Sequence, residues 1–183
     1  HSSLAVSSQG VPLGLLDQTT WVRDMAQRGK RHTRRQRQIQ DKESQRWLST
    51  LAISQAQVPP TVTVVTVADS EADIYELFAA PRRPGSELLI RGTQNRRVGA
   101  QGGVWQRLRD SAVQGHYTFE VSRQAGRAPR QACVSVRYLE VEMQPPVNAP
   151  HRAKLRPLRL WAQLVCEETQ DPEVTPIIWL LWS

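Results

Sequence analysis

Residues 61–78, TVTVVTVADSEADIYELF, constrain this chain more than any other stretch. From 61 to 68 nearly every position is β-branched or apolar, without Gly, Pro or charge. Such a run reads as a strand buried on both faces, as in the parallel part of a covered sheet. It stops at Asp69. Ser70, Glu71 and Asp73 follow, and Ile74, Leu77 and Phe78 then recur at helical spacing. Ser70 with Asp73 resembles a capping box, and the acidic first turn suits the positive end of a helix dipole. Asp69 therefore falls where a buried strand hands over to a helix, the sheet edge at which open α/β folds bind ligands. Three roles are open to it. It could be a helix N-cap. It could be the ribose-holding acid of a dinucleotide fold, but that wants a G-x-G-x-x-G turn and the chain has none. It could be a metal ligand, which requires partners from elsewhere because one carboxylate holds a divalent cation poorly.

At 183 residues the chain can build one sizeable core or two small ones. Its 24 Lys and Arg outweigh 17 Asp and Glu, a net charge of +7 that favours a polyanionic partner, nucleic acid ahead of an anionic membrane. No apolar stretch approaches the length of a membrane-spanning helix and no signal peptide opens the chain; starting at His1, it reads as a piece of something longer. Cys133 and Cys166 lack metal-ligand spacing and read as reduced core residues of an intracellular protein. The charge is unevenly spread. Arg28, Lys30, Arg31, Arg34, Arg35 and Arg37 fall in one acid-free run, whereas residues 47–81 contain no Lys or Arg yet hold Asp69, Glu71, Asp73 and Glu76. An acidic pocket inside a basic protein is what a metal-dependent enzyme acting on phosphodiesters needs.

Along the chain, residues 1–7 and 11–23 flank a Gln9-Gly10 turn and predict an antiparallel hairpin. Residues 24–40 form a polar, Arg-rich loop, either a solvated linker or a DNA-backbone contact through Arg31, Arg34 and Arg35. Residues 41–57 carry Trp47, Leu48, Leu51 and Ala52 on one helical face, and Pro59-Pro60 ends that helix. A helix around 71–80, a turn at 81–85 and a short strand at 88–91 complete a β-β-α-β-α-β order. A Gly/Arg loop spans 96–103, with a short helix expected within 104–113. Strand-like runs then occupy 116–122, 132–143, 158–167 and 177–182, so the back half reads as an antiparallel β unit.

Taken together, HSSLAVSSQGVPLGLL, DKESQRWL, VADSEADIYELF, LLIRGTQNRR and PIIWLLWS resemble, in this order, the bacterial cut-and-paste DDE transposases of the insertion-sequence group that includes the transposase of the kanamycin-resistance transposon. The resemblance covers nearly the whole chain, and the D-x-E-A-D-I block is its most specific part. It implies an α/β fold, an RNase H-like mixed sheet with helices (residues 1–94) plus an antiparallel β-rich insertion (residues 95–183), lacking the first core strand and the last helices. It implies a DNA transposase of a mobile element, which cleaves phosphodiesters and transfers strands with two Mg²⁺ or Mn²⁺ ions held by three carboxylates. The partners it implies are double-stranded transposon ends and target DNA, in a homodimeric synaptic complex within the bacterial cytoplasm and nucleoid, with no membrane.

Asp69 matches the second carboxylate of that triad, so the resemblance makes it catalytic and a metal ligand. Glu71 and Asp73 match the motif as supporting and capping residues. Ser70 stands where family members usually carry Arg, a departure that puts the DNA contact of that position in question. Arg91 falls on the strand-end arginine that approaches DNA, its plainer alternative being a generic surface Arg. Trp179 falls on the tryptophan that stacks on a flipped base, although the apolar strand around it equally suggests a core residue. Arg96 and Arg97 lie in a matching basic loop that could touch phosphate. The first catalytic Asp is expected upstream of His1 and the final Glu, in a Y-x-x-R-x-x-x-E helix, downstream of Ser183. Asp17 lies on the wrong strand for that first Asp. With one carboxylate of three, this stretch alone is expected to be inactive. A non-catalytic basic nucleic-acid-binding module is the alternative reading, for which the Arg-rich run would suffice.

Overall fold

The β-branched run does become a strand, but a shorter and barer one than its composition predicts. In the computed structural model, which describes residues 1–20, 45–100, 102–123, 128–149, 152–172 and 174–183, the strand is confined to Val64–Ala68. The chain divides into two compact units. One comprises His1–Leu88 with Pro145–Arg156, the other Leu89–Gln144 with Pro157–Ser183. The fold is mixed α/β, with a curled mixed sheet and few helices. No helix among the described residues is long and apolar enough to cross a membrane.

The first unit opens with a hairpin of β1 (Ser2–Val6) and β2 (Pro12–Gln18), antiparallel as expected. Ser7 closes its turn by accepting the Val11 N–H at Oγ (3.2 Å), and Gly10 supplies the required positive φ of 81°. Helix α1 (Gln45–Gln57) packs on β2. Its inward face differs from the one expected. Thr50, Leu51 and Ser54 are buried, whereas Ala52 is exposed. The reason is polar: Thr50 Oγ1 donates to Asp17 Oδ2 (3.0 Å), and the Ser54 and Ser3 hydroxyls pair at 3.2 Å. Hydrogen bonds let hydroxyl residues occupy a face that the sequence pattern assigned to apolar ones. Asp17 is thus spent on the helix.

Strand β3 (Val64–Ala68) is followed by β4 (Ser86–Gly92). The Val64 N–H donates to the Gly85 carbonyl just ahead of β4 (2.8 Å), so the two strands run parallel. The Arg83 guanidinium donates to the carbonyls of Pro59, Pro60 and Val62 and holds the entry to β3. The expectation of burial on both faces fails here. Val65 and Val67 are 52% and 69% exposed, because β3 ends the hydrogen-bonded strand order and no described element covers that face. The helix expected around 71–80 is also reduced. A 3₁₀ turn spans Ser70–Ala72, an extended Ile74 interrupts, and α2 is one turn, Tyr75–Phe78. Tyr75, Leu77 and Phe78 are buried, and the Tyr75 hydroxyl donates to the Arg156 carbonyl.

The second unit is an antiparallel β unit, as its strand-like runs predict. After α3 (Val104–Arg109) come β5 (Gly115–Val121), β6 (Arg130–Met143), β7 (Leu158–Glu167) and β8 (Ile178–Trp182). The full hydrogen-bonded order is β3-β4-β8-β7-β6-β5. α3 packs on β6 and β7, with Val104 and Leu108 fully buried. Cys133 and Cys166 are free thiols, but Cys133 is exposed rather than core. Strand alternation turns it away from the face that buries Ala132 and Val134.

Two neighbouring strands meet tightly at Gly92, which is paired with Leu180. A Cβ there would lie 2.5 Å from Trp182 Nε1 and 2.9 Å from the Leu180 side chain. Trp182 is fully buried and cannot swing out. Gly92→Ala is therefore expected to destabilise the fold by about 1–3 kcal/mol. An unchanged denaturant midpoint would show that this corner has room to spare.

Candidate functional site

Asp69 sits immediately after β3. Its Oδ1 accepts the Glu71 N–H at 3.0 Å, which caps the 3₁₀ turn. This is the capping alternative realised on a tighter turn than expected; the carboxylate itself is exposed. Ser70 and Asp73 meet through the backbone, the Asp73 N–H donating to the Ser70 carbonyl at 3.3 Å. Asp73 is 2% exposed. Glu71 is ion-paired with Arg46 of α1 at 2.6 Å, on the surface. Among the described residues no three His, Cys, Asp or Glu side chains converge as a metal-binding set. Asp69 alone does not suit a divalent cation, which takes several oxygen ligands.

The second unit holds a better-formed concavity. β8 and β5 are separated by β7 and β6, which in a flat sheet would put them roughly 14 Å apart. Yet Phe119 on β5 and Trp179 on β8 have ring centroids 6.4 Å apart and planes within 20°. The sheet therefore curls, with both rings on its concave side. The register agrees. Ala132 pairs with Phe119 and Val165 with Trp179, and cross-strand partners share a face. A cavity of about 400 Å³ opens there, lined by Arg91, Phe119, Val121, Arg130, Ile177 and Trp179 among others. Trp179, half-buried, lies between its two sequence readings: it packs in the strand and also lines the cavity.

One wall of this concavity is fixed by an ion pair that sequence reading missed. Arg130 donates to both oxygens of Glu167, the Nη2 contact at 2.9 Å, and the Ile177 N–H donates to Glu167 Oε2 at 2.9 Å. The Arg130 hydrogen bond holds the Glu167 carboxyl below its ordinary pKa of 4.5, against the opposing effect of burial. A lowered folded-state pKa contributes stability that is full above the unfolded value and disappears as pH falls through the folded one. The melting temperature should therefore drop on acidification below about pH 4.5. Glu167→Gln should flatten that drop and lower the melting temperature at pH 7. Parallel acid profiles for the two proteins would remove this pair as a pH-dependent element. No sequence signal marks the pair, because its members lie 37 residues apart and meet only in the folded sheet.

The structure thus brings together two residues named from the sequence, Arg91 and Trp179, on one cavity. Asp69, Glu71 and Asp73 belong to the first unit. Arg97 is exposed in the loop after β4, whereas Arg96 is 8% exposed and packed into its own unit. Arg31, Arg34 and Arg35 lie outside the described residues. Compared with protein-family models and with characterised proteins, the chain matches none of them.

Proposed function

We propose that this chain is the middle part of the catalytic domain of a DDE transposase, cleaving phosphodiesters at transposon ends and transferring the strands to target DNA. The observation that carries the reading is the shared cavity of Arg91 and Trp179. These residues lie far apart in sequence, and the resemblance makes both of them DNA-facing. An arginine beside an aromatic ring is the pairing that holds an unstacked base and its phosphate. The β1–β2 and parallel β3–β4 pairings, with Asp69 at the end of β3, support an RNase H-like core in the whole protein.

On this reading Asp69 is one carboxylate of a metal set whose other members lie outside this chain, and Mg²⁺ or Mn²⁺ supplies the Lewis acid. The partners are double-stranded transposon ends and target DNA, with a homodimer forming the synaptic complex. Incubating the whole protein with a DNA duplex carrying the parent element's ends and Mg²⁺ tests this. Nicking that leaves a 3′-hydroxyl and stops on chelation is expected. Tight, salt-sensitive binding with no cleavage in Mg²⁺ or Mn²⁺ would make it a non-catalytic nucleic-acid-binding module instead.

A further inference from the structure

We infer that Phe119 is the second wall of an aromatic slot, so that an unstacked nucleobase is held between two rings rather than laid on Trp179 alone. The inference rests on the proposed base-stacking reading of Trp179 and adds a residue to it. Rings in direct contact approach to about 4.5 Å between centroids, and aromatic pairing fades near about 7 Å. The Phe119 and Trp179 rings, 6.4 Å apart and within 20° of parallel, sit near the far limit. Stacked bases are spaced roughly 3.4 Å apart, so a base sandwiched between two rings needs roughly 6.8 Å. The centroid separation is the upper bound on the face-to-face gap, so the rings must part before a base can enter between them.

The scaffold allows the remaining adjustment. Phe119 and Trp179 stand on β5 and β8, which share no ladder because β6 and β7 lie between them. The rings can part by a change of curl without breaking a backbone hydrogen bond between their strands. The cavity of about 400 Å³ is ample for one base with its sugar. Its lining also provides the charge: Arg130 is held by Glu167, while Arg91 reaches the same cavity from β4 and suits the phosphate beside the inserted base. The ligand class is a single nucleotide displaced from a DNA duplex.

The test uses the whole protein and two DNA duplexes identical except for one unpaired 2-aminopurine bulge. A bulged base avoids the cost of unpairing, so the readout is the slot alone. Binding should quench 2-aminopurine fluorescence through stacking. Phe119→Ala and Trp179→Ala should each weaken binding of the bulged duplex by about 5- to 100-fold and reduce the quench, with the unbulged duplex unaffected. Phe119→Tyr, which keeps the ring, should retain the quench; Phe119→Leu, which keeps apolar bulk without a π-face, should lose it. If Trp179→Ala loses the quench while Phe119→Leu retains it, Phe119 is no wall and the Trp179 reading stands alone. If neither changes it, base stacking at this cavity is wrong for both residues. Should Phe119→Ala fail to fold, the Leu and Tyr variants decide. Equal weakening of both duplexes by Phe119→Leu would assign Phe119 a purely structural role and overturn the inference.

Discussion

Asp69→Asn in the whole protein should leave the fold intact and lower Mg²⁺-dependent cleavage by about 10³-fold or more. The two halves of this expectation have different physical origins. The Asp69 Oδ1 accepts the Glu71 N–H, and an Asn side-chain oxygen can accept the same bond. Asn also ranks with Asp as a capping residue, so the 3₁₀ turn survives. What Asn removes is the negative charge. A metal ligand contributes several kcal/mol of charge stabilisation to phosphoryl chemistry, and each 1.36 kcal/mol is tenfold in rate. Asp69→Ala removes cap and charge together and should in addition lose about 1 kcal/mol of stability. The measurements are strand nicking and thermal unfolding on the same preparations. Cleavage within tenfold of the parent protein for Asp69→Asn would reduce Asp69 to its capping role.

The 183-residue chain expressed alone should self-associate, and the contact should run through β3 and the hairpin. Among the described residues β3 ends the strand order, with β4 as its one neighbour. An unpaired row of N–H and C=O groups on an apolar strand is a template for another chain. Val62, Val65 and Val67 are 47%, 52% and 69% exposed. On the hairpin, Leu4, Val6, Val11, Leu13 and Leu15 are each at least half exposed. Covering a half-exposed Val or Leu contributes about 1 kcal/mol, so these side chains together approach about 8 kcal/mol before the cost of association. Against an association cost of about 4 kcal/mol or more, that leaves weak association, toward millimolar concentration. Light scattering should show mass rising with concentration. Val67→Lys, which places a charge on the strand's open face, should shift the chain toward monomer. A monomer at all concentrations, with full amide protection across residues 64–68, would mean that both edges of β3 are closed in solution.

The strands of the second unit were legible with near-correct limits because they are long, alternate clearly and are punctuated by turn residues. Residues 158–167 match β7 at both ends. α1 was legible as a helix, but its buried face was not. Thr50 and Ser54 become inward-facing only because Asp17 and Ser3 of the hairpin meet them. Around Asp69 the sequence carried strong helix signals, yet an Asp side chain that caps two residues ahead tightens the chain into a 3₁₀ turn first. Local propensity was overridden by a bond that the same residues could make.

The site divides along the same line. Asp69 at a strand end stood out by local pattern, whereas Arg91 and Trp179 were named through the resemblance alone; each of the three was named from its own few neighbours in sequence. Phe119, Arg130 and Glu167 could not. Phe119 becomes a partner of Trp179 only when four strands curl far enough to bring β5 toward β8, and Arg130 meets Glu167, 37 residues away, only in the folded sheet. A strand's alternation determines which side chains share a face. How strongly that face bends, and which distant ring then lies opposite, is decided by the pairing order and twist of the whole sheet.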